Sequence, residues 1–372
     1  MRPSSLGIES SSAWERAPAP GLHIRTTGAE RQQRGKKGRS EARLLLIQYL
    51  RAAAAISVVG YHISQWTGAD IEVARAGVDV FFVISGFIMW RIAGSREERP
   101  VRFLWRRATR ILPPYWVATL LLLGIVVIWP AFLPKVQPRT AHVLLSLALL
   151  PHLNPAGQPF PLLAPGWTLC YEAGFYLVFA AALLAPRRRR PAILLVVAIA
   201  LIVIGLSLAD PVYVLGANPI VLEFLFGVWI GRAAEAGRLP GPTWSGALAL
   251  LGTAILIVYG VLGWRNEPWR FLTWGIPAAA IVAGAVGLER AASGPRWRVL
   301  TVLGDASYSI YLFHPIAVAA VAHLVGERRT WIFVPLAMAA ALAAGLAGRV
   351  LIEKPFLAWL RGRTDRVALS SL

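Results

Sequence analysis

The chain has 372 residues, 56% of them apolar and only 15% charged, with a mean hydropathy of +0.57. Soluble domains carry about 25% charged residues, so this composition excludes an ordinary soluble domain and points to an integral membrane protein. The formal charge of +19 would suggest nucleic acid in a soluble chain, but its distribution reads here as a topology signal, and no nucleic-acid partner is expected.

Residues 1–40 are polar, basic and poor in large apolar side chains, which predicts a disordered tail. No secretory signal is read in them, because no small-residue cleavage site follows a short apolar core. Ten apolar stretches follow, each near the ~20 residues that a transmembrane helix needs. They are 44–66, 76–93, 112–134, 166–185, 191–208, 218–233, 243–263, 271–288, 300–324 and 331–352, of which 191–208 and 218–233 are short. A further apolar piece, 141–153, holds His142, Pro151 and His152, and reads as re-entrant or interfacial. The segment 94–111 is the longest predicted inner loop, and 134–166 is the long outer one. The predicted fold is an all-α integral membrane protein of about ten transmembrane helices in one bundle. Residues 41–358 form the membrane domain, 359–372 a cytoplasmic tail, and both termini are cytoplasmic.

The orientation rests on charge. With the N-terminus inside, the inner loops and both ends hold 30 of the 38 Lys and Arg, and the outer loops hold 7. Those seven are Arg75, Lys135, Arg139, Arg265, Arg270, Arg328 and Arg329. The opposite orientation would invert the positive-inside rule. Anionic lipid is the expected neighbour of the basic inner face.

Ionisable side chains inside a span are costly and are functional candidates. The spans contain Arg51, His62, Asp79, Glu172, Glu223, Asp305 and His314. Arg51 and His62 are eleven residues apart, so at 100° per residue they fall within about 20° of one face and about 16 Å apart along the axis. His62, Asp79, Glu172 and Glu223 all fall toward the outer side. A carboxylate such as Asp79 or Glu172 could hold the tautomer of His62, and such a pair can act as a general base toward a hydroxyl. The plainer alternative is a buried structural hydrogen-bond network. Arg102, Arg106, Arg107 and Arg110 line the inner face, where arginine suits phosphate; simple positive-inside charge is the alternative. Cys170 is the single cysteine, so no intrachain disulfide and no cysteine-based metal site is expected. His142 and His152 lack metal-ligand spacing, and His314 reads as a residue that packs or bonds to a neighbouring helix.

In order along the chain come Arg51 with His62 ten residues on, GVDVFFVISGFIM (77–89), Arg107-x-x-Arg110 leading into RILPPYW, WTLCYEAGFY (167–176), LGDASYSIYLFHP (303–315) and Glu353-Lys354-Pro355. Each piece is weak alone; their order over ten spans is specific. The set resembles acyltransferase family 3, the polytopic membrane acyltransferases of surface and exported polysaccharides, over roughly residues 44–357. It is most similar to the branch of exopolysaccharide-production acyltransferases. Thr168 departs from the serine common after the tryptophan, and the N-terminal tail is longer than usual for the family.

The resemblance implies transfer of an acyl group, usually acetyl, from acyl-coenzyme A to a sugar hydroxyl, with no bound cofactor and no metal. It implies that the Arg51/His62 and Arg107/Arg110 pairs matter. Combined with the depth reading, it assigns catalysis to His62, Arg51, Asp79 and Glu172, and the donor to Arg107 and Arg110. Trp167, Tyr171 and Glu223 are assigned to the acceptor. The implied partners are membrane lipid, a polysaccharide or lipid-linked sugar, acyl-CoA and a polysaccharide synthesis complex, at a bacterial inner membrane. A transporter or flippase of lipid-linked sugars is the competing reading; it predicts inverted repeats and broken helices, which the sequence does not display.

Overall fold

The structure is a computed structural model that describes residues 44–69, 71–94, 98–208, 218–263, 269–289 and 297–360. The predicted tail 1–40, the end of the chain from 361 and Arg265 lie outside the described residues. Among the described residues the chain is helical throughout, with no strand.

The first helix, α1, runs Leu45–Thr67 and stops at Gly68, whose φ of +72° takes the left-handed conformation that a glycine cap allows. A 3-10 turn, Glu72–Arg75, leads into α2, Ala76–Gly94. The next helix, α3, spans Pro100–Ile128 and passes through Pro113 and Pro114. The sequence reading started this span at 112 and left 94–111 as a loop. Two consecutive prolines resemble a helix start, because proline suits the first turn. The true start is an earlier proline, Pro100, so Arg102, Arg106, Arg107 and Arg110 stand on a helix.

A short helix, α4 (Thr140–Leu147), sits within the long loop and is too brief to cross, consistent with the interfacial reading. Then come α5 (Gly166–Ala182), α6 (Arg190–Leu208), α7 (Leu222–Glu235) and α8 (Pro242–Val261). The last three are α9 (Ile276–Leu288), α10 (Arg298–Val325) and α11 (Thr330–Gly348). Wide π-turns precede α9 (Phe271–Gly275) and extend α11 (Arg349–Glu353).

Among the described residues eight helical stretches are long and apolar enough to cross a membrane. They coincide with eight of the ten predicted spans. The other two, α5 with 17 residues and α7 with 14, are shorter.

The long helices bury only part of their surface against one another, as expected where lipid covers the rest. Between such helices, close packing replaces the hydrophobic effect, and small residues let backbones approach. Gly86 on α2 and Gly227 on α7 show this reciprocally. A Cβ on Gly86 would lie 1.9 Å from the Phe224 carbonyl oxygen, and one on Gly227 2.0 Å from that of Val83. Likewise α10 meets α1 at Gly304, where a Cβ would lie 2.1 Å from the Gln48 carbonyl oxygen. That crossing seats α10 along α1, the helix that carries Arg51 and His62.

Candidate active site

Two polar clusters share the length of α1. The one at the Arg51 end draws on four helices. Arg51 lies within electrostatic reach of Arg110 on α3, Asp305 on α10, and Arg349 and Glu353 in the π-turn of α11. Arg349 is already engaged, since it bridges to Asp305 at 3.3 Å and to Glu353 at 3.9 Å. The Glu353 carboxylate also accepts from the Ser309 hydroxyl at 3.0 Å. Arg51 and Arg110 form no ion pair among the described residues. Among the described residues three arginines thus share two carboxylates, an excess of positive charge inside an apolar bundle. A π-turn widens the helix locally and is frequent at functional sites; this one directs both Arg349 and Glu353 to the cluster.

Arg107 stands one helical turn before Arg110 on the same face of α3. Its guanidinium is buried over the rings of Phe103 (5.8 Å) and Tyr176 (5.9 Å). Its Nε has no hydrogen-bond partner among the described residues, an expensive state for a buried cation unless a ligand completes it. Glu172 belongs to this neighbourhood. It accepts from the Ser85 hydroxyl at 2.8 Å and from the Tyr176 hydroxyl, and it lies within electrostatic reach of Arg107.

The second cluster is at the His62 end. The His62 ring lies 4.9 Å from that of His314 on α10 and 5.0 Å from that of Tyr61. Tyr311, one turn before His314, shares a hydrogen bond with Thr168 (2.9 Å) and donates to the Pro165 carbonyl (3.2 Å).

The carboxylates expected beside His62 are engaged elsewhere. Asp79 is fully buried and held by Arg270 through two hydrogen bonds, 3.0 and 2.8 Å. Glu223, also fully buried, faces the same Asp79 and Arg270 and packs under Gly275. So Asp79 and Arg270 tie α2 to the segment that leads into α9, Glu223 of α7 is buried beside them with neither carboxylate oxygen hydrogen-bonded among the described residues, and Glu172 points toward the arginine cluster. Periodicity along one helix could not reveal this, because it gives depth but not the direction of a neighbouring helix.

Trp167 and Tyr171 pack edge-on against each other at 5.8 Å and line a cavity of about 350 Å³. Its other walls are apolar residues of α6 and α7, including Leu194, Ala198 and Leu225, with His152 at the loop side. Cys170 also faces this cavity. Among the described residues no group of three or more His, Cys, Asp or Glu could hold a metal ion.

Sequence reasoning left four contributors unassigned: Asp305, Arg349, Glu353 and His314. The available signal was polar spacing. Asp305 and Ser309 lie four apart on α10, as do Arg349 and Glu353 on α11, so each pair shares a helix face.

A known acyltransferase domain matches residues 45–351, which hold α1 to α11 and every member of the two clusters but Glu353. The chain belongs to acyltransferase family 3. It is an acyltransferase with many membrane-spanning helices. It is 37% identical over 316 residues to the exopolysaccharide production protein ExoZ of Rhizobium meliloti, covering 82% of this chain and 96% of that protein. It is 26% identical over 372 residues to the peptidoglycan O-acetyltransferase OatA of Listeria monocytogenes, covering 86% of this chain and 57% of OatA. It is 26% identical over 378 residues to the acyltransferase MdmB of Streptomyces mycarofaciens, covering 88% and 94%. No solved structure matches this family member.

Proposed function

We propose that this acyltransferase moves an acetyl group from acetyl-coenzyme A, on the cytoplasmic side of the bacterial inner membrane, to a hydroxyl of an exported or lipid-linked polysaccharide. The observation that carries the reading is the placing of two clusters along one helix. A cationic cluster with unsatisfied charge surrounds Arg51, and an imidazole cluster surrounds His62. The similarity to an exopolysaccharide production protein and to a peptidoglycan O-acetyltransferase supports a polysaccharide acceptor.

The positive-inside count puts the Arg51 end toward the cytoplasm, with both termini inside. Arg107 and Arg110 take the phosphates of the donor, which guanidinium groups bind bidentately. Arg51 lies deeper, about 16 Å along the axis from His62, and holds the polar linkages of the donor's arm while its thioester end reaches toward His62. The acceptor enters from the His62 end. His62 removes the hydroxyl proton as the oxygen attacks the carbonyl carbon; the C–S bond then breaks, and the coenzyme A thiolate takes up the proton. Glu172, anchored by Ser85 and Tyr176, balances the charge of Arg107. Asp79 acts by holding α2, with Arg270, to the segment that leads into α9, and Glu223 is buried beside that pair. Trp167 and Tyr171 contact the acceptor through an apolar cavity, which suits the lipid part of a lipid-linked sugar. A polysaccharide synthesis complex would deliver that acceptor.

The test is His62→Ala in the full chain, with polymer esters measured by NMR. Loss of the acetyl ester, while the protein stays in the membrane, is the expected result. Full acetylation by the variant would sink the assignment. Export of unmodified polymer from a strain lacking the protein separates this reading from a flippase, whose loss would stop export.

A further inference from the structure

His314 has a fixed tautomer. Its Nδ1 lies 3.2 Å from the Ile310 carbonyl oxygen. That neighbour is an acceptor only, so Nδ1 must carry the hydrogen and Nε2 the lone pair. The Nε2 lone pair is left fully buried without a partner among the described residues. A buried acceptor left unpaired is costly, so it marks a place where a donor belongs.

His62 is a neighbouring side chain able to supply that donor. Its ring centroid is 4.9 Å away with the planes tilted by 34°. A second histidine pair in this protein calibrates the distance. His142 and His152 also have centroids 4.9 Å apart, and their nitrogens are hydrogen-bonded at 2.7 Å with an interplanar angle of 59°. Two imidazoles at this separation are therefore a ring rotation from a hydrogen bond. The other polar or charged groups around the pair are Tyr61 on α1, Arg75 in the turn before α2 and Tyr311 on α10; α2 contributes the apolar Phe81. Among the described residues no carboxylate hydrogen-bonds to either ring, and Glu72 is paired with Arg75 at 3.0 Å.

We propose that His314 is the positioning residue of His62. Its Nε2 accepts the ring N–H of His62 and so sets which nitrogen of His62 faces the acceptor hydroxyl. The role is the one usually filled by a carboxylate behind a catalytic histidine. No extra proton moves. When His62 takes the proton of the hydroxyl it becomes an imidazolium, and its other N–H keeps donating to His314 until the thiolate is protonated. The inference rests on the reading of His62 as the base.

The experiment uses the full chain in membrane vesicles, with His314→Leu and His314→Gln assayed for kcat, for KM toward acetyl-coenzyme A and for the pH profile. Leu fills the buried space without an acceptor. It should lower kcat by ~10- to 100-fold, the scale of one hydrogen bond to a charged group, with KM unchanged. It should also move the acidic limb of kcat/KM to lower pH, because the charged form of His62 loses its acceptor. Gln, whose amide oxygen can reach the place of Nε2, should restore most of kcat. A Leu variant with wild-type kcat overturns the inference. So does an unshifted acidic limb with Gln as poor as Leu, which is the mark of packing alone. If the Leu variant does not accumulate, the nitrogen-15 shifts of His62 decide: one fixed tautomer supports the inference and a mixture overturns it. An active His62→Ala variant would instead remove the reading beneath. An inactive His62→Ala beside a fully active His314→Leu removes this inference alone.

Discussion

Arg270 grips Asp79 through two parallel hydrogen bonds, Nε to Oδ1 at 3.0 Å and Nη2 to Oδ2 at 2.8 Å, with both side chains buried. The guanidinium also lies 4.8 Å from the ring of Trp274. Removing one member of a buried pair leaves the other charge uncompensated, at a cost of about 3–5 kcal/mol. Asp79→Leu should therefore lower the melting temperature of the detergent-purified protein sharply. The combined variant Asp79→Leu, Glu223→Gln and Arg270→Met should recover much of the loss, because Glu223, which faces the same pair, is then neutral and no orphan charge remains. Thermal unfolding of the three proteins checks this.

Arg107 offers a flat guanidinium held against two aromatic rings, Phe103 and Tyr176, a geometry that lysine cannot reproduce. Arg107→Lys should raise the KM for acetyl-coenzyme A by ~10- to 100-fold, about 1.4–2.8 kcal/mol. The acceptor KM should stay within a factor of two or so. Steady-state kinetics in inverted vesicles reads both values.

Gly86 admits no side chain, since its Cβ would meet the Phe224 carbonyl oxygen at 1.9 Å. Gly86→Ala should force α2 from α7 and destabilise the protein by ~1–3 kcal/mol, the usual cost of overpacking. Gly124 has nothing within 4 Å of its Cβ position, so Gly124→Ala serves as the neutral control. Comparing the two unfolding temperatures isolates the contact.

Cys170 faces the apolar cavity rather than either polar cluster, and a reactive thiolate needs an electropositive setting. Cys170→Ala should keep at least about half of the wild-type transferase rate. A loss of a hundredfold in an otherwise folded protein would instead implicate an acyl-thioester on this residue.

His142 and His152 close the loop between α3 and α5. His152 Nδ1 bonds to the Leu150 carbonyl at 2.8 Å, so it carries the hydrogen and Nε2 accepts from His142. Burial, followed by the His152 ring, holds His142 below its ordinary value of 6.5. A histidine depressed in the folded state binds fewer protons than in the unfolded chain. The stability it brings is therefore present above pH 6.5 and falls as pH drops from there toward the depressed value. Proteolysis within 140–165 should accelerate over that window, and His142→Phe should flatten the dependence. Rates of cleavage measured against pH give the answer.

Some of the site was legible along single helices. The eleven-residue step from Arg51 to His62 placed both on one face of α1, and the i, i+3 step placed Arg107 with Arg110. The partners were not legible. Asp79 reads as a neighbour of His62 by depth, yet Arg270, 191 residues later, holds it. His314 reads as a residue that packs or bonds to a neighbouring helix, with no partner legible, and its ring lies 4.9 Å from that of His62. The start of α3 was misread for a local reason, because Pro113-Pro114 imitates a helix start while the helix runs through it.

The sequence by itself determined that this chain is a bundle of apolar helices, the face that Arg51 and His62 share, and its resemblance to acyltransferase family 3. Those follow from composition, a 3.6-residue period and ordered motifs, all properties of the chain taken along its length. Only the tertiary structure decided which buried charges meet. Each polar side chain in a bundle has several helices on which to find its partner, and close backbone approaches such as Gly86 with Phe224 and Gly304 with Gln48 fix that choice. Through those crossings His62 faces an imidazole, and Asp79 faces an arginine.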